Sequence, residues 1–223
     1  MSVPFTFKSR ESDSSLVEGI WHTESIGGGS FISTAVNQFE IVITKVNGKT
    51  SLTLRGPETV ASLAPIPVDA EIFGIIFKPG TFLPKLPMKN LVDASIDLPE
   101  ECHCSVYLCD ESWEIPTYDN ADTFLKRLER EGLIYREPLV EAVLKNQLTD
   151  VSQRTIQRRF LAATGLTLST YDGIERAKHA ISLLEQGMSI LDTVYEAGYA
   201  DQPHLTRSLK HFAGRTPAEI IKP

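Results

Sequence analysis

Two short stretches gather side chains suited to reading the edges of base pairs. The first holds Gln153, Arg154, Gln157 and Arg158; the second holds Gln202, His204, Thr206, Arg207 and Lys210. Arginine pairs bidentately with guanine and glutamine with adenine, so both sets fit the major groove of duplex DNA. Residues 151–171 contain Arg154, Arg158 and Arg159 and no acid, and residues 202–218 contain Arg207, Lys210 and Arg215 and no acid. Such local positive strips neutralise phosphates even on a chain of net charge −7. The plain alternative for each strip is a solvated helix face.

A second cluster has softer chemistry. Cys102, His103 and Cys104, with Cys109 beyond, offer the thiolates and imidazole that zinc takes. On a strand, Cys102 and Cys104 share one face while His103 points to the other. Free cysteines are also ordinary core residues. No metal site is therefore assigned, and these four stand only as candidates. Their odd number and crowding make a poor disulfide framework and fit a reducing cytoplasm. Residues 1–118 hold only His22 and His103, far apart in sequence, so they offer no closely spaced histidine pair for a metal. No catalytic residue and no cofactor are assigned, and the chain is expected not to be an enzyme.

Ligand pockets are mostly apolar with a few polar anchors. Trp21, Phe39, Phe73, Phe77, Phe82 and Trp113 are candidates to line one, with simple core packing as the alternative for each.

These residues need elements to position them, and the chain has two textures. Phe39 to Val46 alternates and is β-branched, Asn47-Gly48 is a tight hairpin turn, and Thr50 to Arg55 returns. Glu71 to Phe77 is another strand, closed by Lys78-Pro79-Gly80. Short strands with Gly and Pro punctuation predict a small barrel or sandwich. From Asp122 the apolar period becomes helical, with Phe124, Leu125 and Leu128 on one face of a linker helix. Pro138 opens a further helix with Leu139, Val140, Val143, Leu144 and Leu148 at helical spacing. Charge divides the same way. Residues 139–223 hold ten basic and nine acidic residues, +1, whereas 1–138 hold twelve and twenty, −8. No apolar run approaches the roughly 20 residues of a membrane helix, and the first residues have no secretory pattern.

The helical part repeats itself at an offset of 49: Gln153 falls on Gln202, Arg158 on Arg207, Gly165 on Gly214 and Thr167 on Thr216. Ile156 matches Leu205, Phe160 matches Leu209, and Ser152 and Asp201 both occupy N-cap positions. Before the second copy, Ser189 caps Ile190 to Ala197, Gly198 turns the chain, and Asp201 caps the next helix, which makes a helix-turn-helix. Ser169 to Gln186 is a spacer of about 27 Å at 1.5 Å per residue, a length that sets two readers about one duplex turn apart.

Ala197-Gly-Tyr-Ala-Asp-Gln-Pro-His-Leu-Thr-Arg-Ser-Leu-Lys-His-Phe-Ala-Gly-Arg-Thr-Pro217, within Ile190 to Ile220, resembles the signature of AraC/XylS-type transcriptional regulators. The likeness spans residues 139–223. It implies two helix-turn-helix units joined by a long helix, with reading helices entering successive major-groove segments. The first unit departs from the pattern, because Lys145 and Thr149 stand where a small residue and a turn glycine are expected. Gly56 to Thr59, Gly74 to Phe82 and Leu91 to Asp93 are similar to the cupin-like domain that precedes the DNA-binding part in some of these regulators.

The expectation is thus an α+β two-domain chain. Residues 1–118 form a cupin-like β-barrel or sandwich, 119–135 a linker helix, and 136–223 an all-α AraC-type DNA-binding domain. The resemblance implies double-stranded DNA as partner, with a small-molecule effector, RNA polymerase and a second copy of the chain as further ones, and no membrane. A cytoplasmic, effector-responsive regulator of transcription is expected. The alternative is a thiol- or metal-responsive sensor acting through protein contacts.

Overall fold

The structure is a computed structural model and describes residues 5–102, 105–147 and 150–222. The first half is β, as the alternation predicts. Its strands are β1 (Phe5–Arg10), β2 (Val17–Ser25), β3 (Gly29–Ser33), β4 (Glu40–Val46), β5 (Lys49–Arg55) and β6 (Ser62–Ile66). They continue with β7 (Ala70–Phe77), β8 (Thr81–Phe82), β9 (Ser95–Asp97), β10 (Glu100–Cys102), β11 (Ser105–Leu108) and β12 (Glu111–Glu114). A sheet of six runs β1-β2-β7-β4-β5-β9, a sheet of three runs β10-β11-β12, and β3 pairs with β6. Ile20, Ile75, Ile41 and Leu54 stand opposite one another across β2, β7, β4 and β5, and all four are buried. The row follows from register: period-2 strands paired in phase put every apolar residue on the same face. Asn47 and Gly48 both take positive φ, as a two-residue hairpin requires.

The expected linker helix is α1 (Ala121–Arg130). Its Phe124, Leu125 and Leu128 are part of the β core, where Phe124 meets Trp113 edge to face at 5.7 Å. The helix is therefore integrated into the first half rather than standing between halves. Arg10 and Ser12 anchor it from outside by bonds to Asp122 of 2.6 and 2.5 Å. Beyond it, β13 (Tyr135–Arg136) pairs with β8, so the chain enters its helical half along the edge of the β half.

The helical half comprises α2 (Pro138–Leu144), α3 (Gln153–Thr164), α4 (Leu168–Glu185), α5 (Ile190–Glu196), α6 (Gln202–Ala213) and α7 (Pro217–Ile221). The expected α+β two-domain architecture, with two helix-turn-helix units joined by a long helix, is the one observed. The described residues contain no helix long and apolar enough to cross a membrane.

Candidate nucleic-acid interface

The repeat is structural as well as chemical. α3 and α6 have the same length of 12 residues, start 49 apart and are capped alike. Ser152 Oγ accepts from the Thr155 N–H, and Asp201 carboxylate accepts from the His204 N–H at 2.7 Å. Both end on a left-handed glycine, Gly165 at φ 75° and Gly214 at φ 67°, conformations a Cβ would strain. Thr167 and Thr216 then cap the helices that follow; Thr216 and Glu219 complete a capping box.

In the second unit, Leu205, Leu209 and Ala213 recur every four residues and turn one face of α6 into the core. Val194 of α5, Ala197 and Tyr199 of the turn, and Ala177, Ala180 and Leu184 of α4 receive Leu205 and Leu209. Gln202, Arg207 and Lys210 are left exposed; Gln202 and Arg207 have no hydrogen-bond or ionic partner among the described residues, and Lys210 lies close enough to Glu219 to help hold its carboxyl down. Thr206 is half-buried. His204 is engaged in the turn instead: its ring lies edge-on to Tyr199 at 5.1 Å, and Nδ1 accepts from the Ala200 N–H at 3.4 Å.

In the first unit Phe160 packs with Val140, Ala163 and Tyr171, and Phe82 of the β half closes the cluster. Burial pushes the Tyr171 hydroxyl well above its ordinary range. Gln153, Arg154, Gln157 and Arg158 are exposed and unpartnered among the described residues. Arg159 is not free, because its Nε donates to Glu137 at 3.1 Å, and Glu137 itself caps α2. The turns differ. Residues 197–201 join α5 to α6 through Gly198 at φ 69°, whereas 145–152 join α2 to α3, with Asn146 in the left-handed region at φ 52°. An Asn tolerates that region through its short polar side chain, a signal the glycine criterion passes over. Leu148 and Thr149, singled out in the sequence, lie outside the described residues.

Sequence reasoning missed the junction behind the readers. The last carbonyls of a helix lack partners within it. Those of Phe212 and His211 accept from the backbone N–H of Ala35 at 2.7 Å and of Ala61 at 2.8 Å. Asn37 is buried; its side chain donates to Glu175 of α4 at 2.7 Å and accepts from Lys178 at 3.1 Å. A Cβ on Gly214 would come within 2.9 Å of Ile32, and one on Gly165 within 2.9 Å of the Met88 carbonyl. α3 and α6 thus both end against the β half, each at its glycine.

The candidate ligand-lining aromatics stand in different surroundings. Trp21 is half-buried and faces Glu40 at 3.4 Å; Phe39 stacks on Phe77 at 5.1 Å in the core. Burial raises the Glu40 carboxyl above its ordinary value against the opposing pull of Arg55. Phe82 lies edge-on to Tyr135 at 5.7 Å. Phe73 and Trp113 line two separate clefts of about 260 and 430 Å3, which share Glu114, Ile115 and Pro116. Cys102, His103 and Cys104 fall at or inside the segment 101–104, whose side chains lie outside the described residues. Cys109 is half-buried, with its thiol pushed up by desolvation. No group of three metal-binding side chains occurs among the described residues.

Residues 147–222 match a family described as a helix-turn-helix domain. The HTH-type transcriptional regulator RipA of Corynebacterium diphtheriae is 35% identical over 86 residues, which is 39% of this chain and 25% of that protein. RipA of Corynebacterium glutamicum is 36% identical over 72 residues, 32% of this chain and 22% of that protein. The chain thus spans about a quarter of the length of these curated relatives. Among solved structures, an apo point variant of ToxT from Vibrio cholerae aligns over 99% of this chain and 97% of its own, at 10% identity and a TM-score of 0.42.

Proposed function

We propose that the chain is a sequence-specific DNA-binding regulator of transcription of the AraC type, whose residues 147–222 match a helix-turn-helix domain family and whose first half responds to a small effector. One observation carries the reading. Two equal helices, 49 residues apart, each turn a cluster of unpaired Gln and Arg side chains outward from a capped N-terminus. N-terminal residues of a recognition helix are the ones that reach base edges.

The two readers have different work. In α6, Gln202 and Arg207 suit bases and Lys210 suits phosphate. In α3, Arg154 and Arg158 lean more on phosphate, which positions without specifying. Arg159 is excluded from this set by its bond to Glu137. The protein is non-catalytic and cytoplasmic in this reading, and RNA polymerase and a second copy of the chain are its further partners.

The test is selection of duplexes from random DNA by the purified full chain, followed by retardation of the selected site and of a scrambled one. Preference for the selected duplex by at least about 1,000-fold fits specific recognition. Equal retention of both duplexes overturns it.

A further inference from the structure

A cleft of about 430 Å3 lies between β12 and α1, built from residues that DNA reading does not use. Trp113 and Phe124 form its apolar floor. Lys126, Arg127 and Arg130 line it from α1, against the single carboxylate of Glu114. The cations are not equivalent. Lys126 pairs with Asp13 at 3.3 Å and Arg130 with Glu131 at 2.9 Å. Arg127 has no carboxylate partner among the described residues, and its guanidinium carbon stands 4.0 Å from the centre of the Trp113 ring. Stacking fixes the plane of the fork and leaves its donor edge open, an arrangement matched to a carboxylate.

The indole supplies an independent observation. Trp113 is 1% exposed, and its Nε1–H is buried with no hydrogen-bond partner among the described residues. Buried donors are almost always paired, so this orphan N–H marks the ring in the wall of the cleft as a polar group with unused bonding capacity.

We propose that this cleft binds a small organic anion, a carboxylate on a flat apolar body. The carboxylate pairs with Arg127, and the apolar body lies against Phe124 and Ile115. A purely inorganic anion gains nothing from that apolar wall, and a neutral ligand leaves Arg127 unused. The site also has a route to the reading helices. α1 runs through residues 131–134 into β13 and then α2, so a ligand on α1 sits one short connection from the first unit. This names a chemical class for the effector, and in that consequence it rests on the regulator reading above.

The experiment is a 1H–15N titration of the full chain, without DNA, with benzoate, phenylacetate, benzamide and inorganic phosphate. The chain has two tryptophans, hence two indole N–H signals, and Trp113→Phe identifies which is Trp113. Benzoate or phenylacetate is expected to shift the Trp113 signal. Arg127→Gln is expected to weaken binding at least about tenfold, with Arg127→Lys intermediate, because a lysine keeps the charge and loses the fork. Arg127 is exposed, so both variants are expected to fold, as the remaining amide signals report. Three results overturn the proposal: no shift with either carboxylate, unchanged affinity in Arg127→Gln, or benzamide or phosphate binding as well as benzoate. Retardation of a selected duplex by the same variants separates the two readings. A silent titration with intact duplex binding sinks the cleft alone, and an intact titration with no duplex binding sinks the regulator alone.

Discussion

The backbone N–H of Ala35 donates to the carbonyl of Phe212 across 2.7 Å, joining the β half to the last turn of α6. Asn37, two residues on, reaches α4 through Glu175 and Lys178. One short segment thus touches both the reader and its support. Asn37→Ala removes the buried amide while Glu175 and Lys178, 3.0 Å apart, still satisfy each other. The expected cost is about 1–3 kcal/mol. It is expected to fall on the junction, so that thermal unfolding broadens or divides while both halves keep their secondary structure. Calorimetry of the full chain measures it; an unchanged single transition contradicts the junction's role.

The two readers are separable by mutation. Arg207→Ala is expected to cost about 1–3 kcal/mol at the selected duplex and much less on scrambled DNA. Arg158→Ala is expected to weaken both duplexes alike and to lower the salt dependence of binding by about one unit of slope. Affinities for both duplexes at two salt concentrations decide it. Equal loss of selectivity in the two variants shows that α3 reads bases as well as α6.

Three equivalent-looking glycines are predicted to differ. Gly198 has φ 69° and open space where a Cβ would stand, so Gly198→Ala is expected to cost only the left-handed strain, about 1–2 kcal/mol. Gly165→Ala adds a contact at 2.9 Å with the Met88 carbonyl and at 2.8 Å with Val92, and is expected to cost about 1–3 kcal/mol more. Gly214→Ala meets side chains of Ile32 and Ala61 rather than backbone, and belongs between them. Urea midpoints of the three variants rank them.

Acid is expected to loosen α1 at its start. Burial works against ionisation of Asp122, but the Ser12 hydroxyl, the Arg10 guanidinium and the Asp13 N–H together hold its carboxyl below the ordinary 3.8. A lowered folded value means that the stabilisation is complete above the unfolded value and fades as pH falls through the folded one. Asp122→Asn is therefore expected to be less stable than the native chain at pH 7, with the gap closing below about pH 4. Denaturant titrations of both proteins across that range follow the gap.

What was legible in the sequence was what local chemistry determines. Ser152, Thr167, Ser189, Asp201 and Thr216 cap helices wherever they occur before an apolar period, and the 49-residue offset repeats those caps together with the glycines that end α3 and α6. Asn47-Gly48 announces its hairpin for the same reason. The junction was not legible. Ala35 and Ala61 contribute backbone N–H groups, which leave no trace in residue type, and Asn37 meets α4 across 138 positions of chain. Arg159 was counted among the DNA-facing cations because its own helix holds no acid; its partner Glu137 comes from the preceding cap. His204 sits among base readers in sequence, yet Tyr199 captures its ring once Gly198 folds the turn back.

The carbonyls of His211 and Phe212 limit how freely this chain can be recombined. They are bonded by the backbone of the β half, so a chimera that grafts residues 147–222 onto a foreign first half keeps the exposed side chains of α3 and α6 and the caps of α3 to α7 but loses those two donors. The graft inherits the side chains of α3 and α6 without the brace that orients them. Moving residues 147–222 between chains of this architecture therefore means transplanting the strip around Ala35 and Ala61 along with them.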